Sequence, residues 1–206
     1  LNVIVGAITK KIYTTDSEIT ATARFKNNEY YDLYNSLILI PRKGNIKLYH
    51  KSKLVPGAEK MPFPVLLDPI AKMVVNLGGI SGTLGNPNYT KPFIINGHTV
   101  APLICYESVY GDMQSEKSDL LVIATNDGWW KNTAGYKQHF DYSRLRAIEQ
   151  RKWVVRSANT GISGIISPKG EAILKTNWDE SITLKHKINI NNHTINQGVS
   201  RENYTI

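Results

Sequence analysis

The chain holds one cysteine, Cys105, in the stretch VAPLICYESVY, where an apolar run ends and a carboxylate, Glu107, follows two residues on. Two other apolar runs end in the same way: IKLYHK delivers Lys51, and LLVIATND delivers Asn126 and Asp127. In layered α/β proteins, chemistry collects where strands carry polar residues past their carboxyl ends. A cysteine nucleophile needs a route to thiolate, and a cation or dipole to hold the oxyanion that forms when it attacks a carbonyl. Lys51 has the charge for that role. The residue types alone equally allow Cys105 as a small buried apolar side chain, Lys51 as surface charge, and Glu59 and Glu107 as solvated carboxylates. No histidine stands in a motif that marks it as a partner base, so a Cys-His pair draws no support from the sequence.

The elements that would position these residues follow from the apolar patterning. LNVIVGAIT and LYNSLILIP are β-rich runs, and LYNSLILIP, followed by RKGN and then IKLYHKSKL, reads as a hairpin. GHTVAPLICYES and DLLVIATND are nearly continuous apolar runs, expected as central strands covered on both faces. AGYKQHFDYSRLRAIEQRK reads as an amphipathic helix with Tyr136, Phe140, Ala147 and Ile148 on one face. WVVRSANTGISGIISPKGEAIL reads as two strands broken at ANTG, with a second tight turn at SPKGE. Between the hairpin and the cysteine strand, a short helix from Val65 to Val75 is expected before a loop rich in Gly, Asn and Pro, of a length typical of lids and binding loops. TTDSEITATARFKNNEYYD reads as a polar hairpin loop. Strands, helix, then strands again predict a layered α/β fold.

At 206 residues the chain suits one domain with a full core. A single cysteine excludes an internal disulfide and a multi-cysteine metal site. No apolar run reaches the roughly 20 residues that span a bilayer, and the opening LNVIVGAITKK lacks a signal-peptide layout. The formal net charge of +8 is spread over scattered Lys and Arg, which favours a solvated basic surface, then an anionic membrane surface, over nucleic acid.

Three blocks in order, YHKSKLVPGAEKMPF, ICYES and TNDGWWKNTAGYKQHFDYSRLRAIEQRKWVVRSANTGIS, resemble the carbon-nitrogen hydrolase (nitrilase) superfamily, and most of all its membrane-bound apolipoprotein N-acyltransferase branch. The likeness runs from about Asn2 to about Ile173. It implies an αββα sandwich, incomplete here at the N-terminal side, with residues 1–190 as a partial catalytic domain and 191–206 as an unassigned tail. It also implies a Glu-Lys-Cys triad, of which Lys51 and Cys105 occupy matching positions. Glu59 matches a second glutamate that assists near the nucleophile. Tyr106 and Glu107 match residues that shape the site after the cysteine, and Asn126 joins them as a substrate-binding candidate at its strand end. Trp129 matches the aromatic of a mobile loop over the acyl pocket; Trp130, Met61 and Phe63 read equally as further apolar lining, as core packing or as loose surface side chains.

The resemblance implies ping-pong acyl transfer without a cofactor or metal. A phospholipid is the acyl donor, a diacylglyceryl apolipoprotein the acceptor, and the setting is the periplasmic face of the bacterial inner membrane, within a longer membrane protein. The triad's glutamate has no counterpart in this sequence: Glu18 and Glu29 lie in the polar stretch and match nothing catalytic. The expectation is therefore an impaired enzyme with a bared sheet edge. Two other readings stand beside it: a soluble nitrilase-type amidase that uses water in place of the amine, and a non-catalytic scaffold that keeps the fold.

Overall fold

A computed structural model describes residues 1–56, 58–60, 83–87, 91–113 and 117–190. The expected helix from Val65 to Val75, the lining candidates Met61 and Phe63 and the tail 191–206 lie outside the described residues.

Two sheets form the centre. In the first, β1 (Val3–Ile12) pairs antiparallel with β3 (Glu29–Ile40), from Val3 opposite Ile40 to Ile12 opposite Tyr31. The other edge of β3 takes β2 (Arg24–Lys26) near its start and β4 (Lys47–His50) near its end, so the expected hairpin forms, with Ser36 opposite His50. The polar stretch expected as a loop is more structured than its composition suggests. It contains a one-turn 3-10 helix (Asp16–Glu18) and then β2, which turns back into β3 through Asn27 and Asn28 at φ 53° and 62°. Asn tolerates this left-handed pair, the geometry of a two-residue hairpin turn. Asp32 is buried behind that stretch and accepts hydroxyl hydrogen bonds from Tyr13, Thr20 and Thr22, which gives the stretch an anchor that apolar patterning does not reveal.

The second sheet has the order β10-β9-β8-β7-β6-β5, built from β5 (Phe93–Ile95), β6 (His98–Ile104), β7 (Leu120–Thr125), β8 (Trp153–Ala158), β9 (Gly164–Ile166) and β10 (Ala172–Lys175). β6, β7 and β8 run parallel at its centre, as the continuous apolar runs predict. The sheets pack through Leu37, Leu39 and Tyr49 of the first against Phe93, Val100 and Ile104 of the second. On the far side, α1 (Ala134–Gln150) lays Phe140 and Ala147 on Ala101, Leu103, Leu121, Ile123, Val154 and Ile166.

The helix face differs from its expected outline. Tyr136, Phe140 and Ala147 are buried, but Ile148 is 50% exposed, because each helical residue advances the side chain by about 100° and Ile148 follows directly on the buried Ala147. The buried stripe is completed by polar residues, His139, Ser143 and Arg146. Sheet, sheet and helix thus stack, among the described residues, in the order that the expected αββα sandwich requires. Among the described residues nothing covers the outer face of the first sheet at Val3, Val5, Ile40 and Leu48.

Strand alternation makes the two faces of β3 energetically unlike, since Leu39 is 1% exposed and its neighbour Ile40 is 43% exposed. Leu39→Ala is expected to cost about 3 kcal/mol of unfolding free energy in a denaturant titration. Ile40→Ala is expected to cost about 0.5 kcal/mol or less.

Candidate active site

Period-2 alternation along β4 sends Tyr49 inward and His50 outward, so the next residue, Lys51, again faces the second sheet. Its backbone N–H donates to the Asn35 carbonyl at 2.8 Å, which extends the strand pairing by one residue. The side chain is 1% exposed, and its ammonium donates to both Glu59 oxygens, at 2.8 and 2.7 Å. Glu59 also accepts from the Asn35 side chain at 2.7 Å and from the Val55 N–H at 2.8 Å. A buried ammonium is tolerable only with such a partner, and Glu59 is held from two further sides so that it stays in place.

Cys105 stands where β6 ends and a short 3-10 helix, Cys105–Val109, begins. Its φ is +51°, a left-handed conformation in which the Cβ of a non-glycine residue crowds its own backbone. A sharp turn of this kind at a strand end presents the side chain clear of the sheet. Two residues on, Glu107 is fully buried and accepts five hydrogen bonds. One oxygen receives the Ser52 N–H (2.6 Å), the Ser52 hydroxyl (2.8 Å) and the Lys53 N–H (3.2 Å). The other receives the Tyr49 hydroxyl (2.9 Å) and the Ile104 N–H (2.8 Å). These donors flank Lys51 on one side and Cys105 on the other, so one carboxylate fastens the two strand ends together. Glu107 therefore offers no open surface to a ligand; its contacts are spent on the segments that carry Lys51 and Cys105.

Behind the cysteine, β7 delivers Thr125 and Asp127, both buried. Asp127 accepts from the Thr125 hydroxyl (2.9 Å), His139 Nδ1 (2.7 Å) and Arg156 Nη2 (2.6 Å). Burial pushes its carboxyl up, yet the hydrogen bond from His139 and the charge of Arg156 outweigh that and hold it below the usual carboxylate range. Gly161, at φ +118°, is required beside it, because a Cβ there would lie 2.8 Å from Asp127 Cβ. The ligating atoms of Cys105, Asp127 and His139 lie within 4.8 Å of one another. A dication among them would face the buried Arg156 guanidinium, already paired with Asp127, so the donor set is that of a hydrogen-bond chain rather than a metal cradle.

The other sequence candidates are placed as follows. Asn126 is exposed, and its side-chain oxygen accepts from the Gly128 N–H at 3.1 Å, which shapes the turn after β7. Trp129 is 40% exposed and its ring lies 4.5 Å from that of Trp130. Tyr106 is half-buried and meets Tyr110 edge-on at 5.4 Å. The geometry brings Lys51, Glu59, Cys105 and Glu107 into one assembly and leaves Asn126 and Trp129 at its solvent side. Sequence reasoning missed His139 and Arg156. For His139 the available signal was spacing, since it falls three and seven residues from the buried Tyr136 and Arg146 of the helix stripe.

Half-buried Cys105 feels opposed influences: burial pushes the thiol up, while the Lys51 charge and a hydrogen bond with Thr125 pull it down. Removing the cation leaves burial less opposed. In Lys51→Met, the pH midpoint of Cys105 alkylation by iodoacetamide is expected to move to higher pH than in the unsubstituted chain.

The carbon-nitrogen hydrolase family model matches residues 4–193. The chain is 36% identical over 160 residues to an apolipoprotein N-acyltransferase of Rickettsia typhi, covering 75% of this chain and 31% of that protein. It is 40% identical over 162 residues to that of Rickettsia bellii, with the same coverages, and 36% identical over 147 residues to that of Aquifex aeolicus, covering 71% and 33%. The chain thus spans about a third of the length of these relatives. Among solved structures, Saccharomyces cerevisiae Nit3, of the nitrilase superfamily, aligns with a TM-score of 0.54 at 14% identity, over 73% of this chain and 51% of that one. A carbon-nitrogen hydrolase from Helicobacter pylori G27 aligns with a TM-score of 0.53 at 13% identity, over 86% and 60%. With its cysteine at a strained strand end beside a buried Lys-Glu pair, on two packed sheets of this fold, the chain belongs to the carbon-nitrogen hydrolase family.

Proposed function

We propose that this chain is the cysteine-bearing part of an apolipoprotein N-acyltransferase. Cys105 takes an acyl group from the sn-1 ester of a phospholipid and passes it to the α-amine of a diacylglyceryl-cysteine at the start of an apolipoprotein. The observation that carries the reading is the position of Cys105, in a left-handed turn and under the charge of the buried Lys51. The names and identities of the relatives support the choice of substrates.

The Cys105 thiolate attacks the ester carbonyl, and the resulting oxyanion lies against the Lys51 ammonium, which Glu59 holds in place. The thiol proton has gone to water, the alkoxide of the lysophospholipid leaves and takes a proton from water, and an acyl thioester remains on Sγ. The acceptor amine attacks that thioester, loses a proton and expels the thiolate, so each half-reaction has a lower barrier than direct transfer. Trp129 and Trp130, on the loop after β7, are the proposed apolar cover that disfavours water over the amine. Tyr106 and Asn126 line the approach to it. The setting we propose is the periplasmic face of the inner membrane, within a longer protein; no helix among the described residues is long and apolar enough to cross a bilayer.

Among the described residues, the nearby carboxylates are all committed: Glu59 to Lys51, Asn35 and Val55, Glu107 to five donors, and Asp127 to Thr125, His139 and Arg156. None of the three is open to take the thiol proton, so the chain by itself is expected to react about 10²–10⁴-fold more slowly than one with a positioned base. The same observation favours a second reading, a scaffold that keeps the fold without turnover.

Intact-mass spectrometry after incubation with a phospholipid of defined sn-1 acyl group separates the two. The enzyme reading predicts a gain equal to that acyl group, removed by hydroxylamine and absent in Cys105→Ala. It further predicts that Lys51→Met forms the adduct about 10²–10³-fold more slowly. No adduct under any condition would leave the scaffold.

A further inference from the structure

A second chain of buried polar groups ends on Cys105, and the acyl-transfer chemistry does not use it. Arg156 of β8 donates through Nη2 to Asp127 at 2.6 Å. Asp127 faces His139 Nδ1 at 2.7 Å, and His139 Nε2 faces the main-chain carbonyl of Cys105 at 3.1 Å. Ser143 and the Ile162 carbonyl hold the rest of the guanidinium, at 3.0 and 3.1 Å. All three charged or titratable members are at most 4% exposed. The Ser108 hydroxyl donates to the same Cys105 carbonyl at 2.8 Å and lies 3.2 Å from His139 Nε2.

Nδ1 faces the Asp127 carboxylate with Arg156 Nη2 at 3.2 Å, and Nε2 faces the Cys105 carbonyl beside the Ser108 hydroxyl; a proton on Nε2 lets His139 donate to that carbonyl, which can only accept. Both ring nitrogens thus have polar partners of their own, although the ring lies close to Sγ. The helix thus reaches the nucleophile's peptide group instead of its sulfur. That peptide group needs holding: a non-glycine residue at positive φ persists where its surroundings over-determine it.

We propose that His139 is a positioning residue for Cys105, clamping its carbonyl through the Arg156–Asp127–His139 chain so that the left-handed turn keeps Sγ under the Lys51 charge. The proposal rests on the reading of Cys105 as the nucleophile. It assigns a purpose to a buried ionic network that apolar side chains of similar volume would replace at little or no cost in stability. Without the clamp, Cys105 relaxes toward an ordinary backbone conformation, and the sulfur leaves the Lys51 and Thr125 side chains that favour its thiolate.

The test is the second-order rate of Cys105 alkylation by iodoacetamide at fixed pH, measured on the 206-residue chain alongside thermal melting. It needs only the thiol, so it reads the clamp whether or not phospholipid yields an adduct. Asn at 139 places an amide N–H near the Nδ1 position and keeps the Asp127 contact; Gln places one near Nε2 and keeps the Cys105 contact. His139→Asn is expected to melt close to the unsubstituted chain yet alkylate roughly tenfold more slowly, the population change expected when a left-handed residue loses its support. His139→Gln is expected to alkylate within about twofold of the unsubstituted chain, the rescue that donation to the carbonyl requires. Equal rates in His139→Asn and the unsubstituted chain, or rates that follow melting temperature rather than donor position, would overturn the proposal. Should neither variant fold, Ser108→Ala removes the other donor to the same carbonyl. A several-fold slower rate with the fold intact supports the clamp, and an unchanged rate sinks it.

Discussion

The buried carboxylate of Glu107 is the interaction on which the arrangement of this molecule depends. A carboxylate removed from water is stable only if its lone pairs are filled, and here five donors fill them. Those donors come from Tyr49, Ser52 and Lys53 on the first sheet's side and from Ile104 on the second. Apolar packing between the sheets is non-directional and would tolerate a sliding of one sheet on the other by a fraction of a residue. The Glu107 contacts are directional and do not tolerate it. They set the register between the strand that ends at Lys51 and the strand that ends at Cys105, and so the electrostatic environment of the thiol follows from a residue that touches neither reacting atom.

Among the described residues, three carboxylates lie around Cys105, each with a different partner type. Glu59 neutralises an ammonium, Glu107 gathers backbone and hydroxyl donors, and Asp127 joins a guanidinium to an imidazole. The division follows from low local dielectric, where an unpartnered charge is costly and any two like charges repel strongly. At the sulfur burial outweighs the opposing Lys51 charge, and Asp127 and Glu59 add to it, so the Cys105 thiol is pushed up. Backbone strain enters the same contest, since the left-handed turn at Cys105 is what aims the thiol, and the surrounding hydrogen bonds hold that turn.

Much of this was legible in the sequence because apolar runs announce where strands lie and therefore where their last residues point. The runs before Lys51, Cys105 and Asp127 became β4, β6 and β7, and the family motifs marked the same residues. The helix was legible from Tyr136, Phe140 and Ala147. Its chemistry was not, because His139, Ser143 and Arg146 complete the buried stripe with polar side chains that a search for apolar periodicity discards. Glu107 was recognised as important beside the cysteine, but its role was hidden: two of its donors are backbone N–H groups 54 and 55 residues away, and sequence carries no sign of which main-chain donors a fold will bring together. Asp32 illustrates the same limit at the polar stretch, where hydroxyls distant in sequence order a segment of loop-like composition.

The most direct measurement is the pH dependence of Cys105 alkylation in Glu107→Gln. An amide in place of the carboxylate sets N–H against N–H at one oxygen position and releases the segment that carries Lys51. The account predicts that the alkylation midpoint rises toward that of Lys51→Met, and that combining the two substitutions adds little further. A midpoint in Glu107→Gln equal to that of the unsubstituted chain, in a protein that remains folded, would contradict it, because Lys51 would then be held beside the thiol by something other than Glu107.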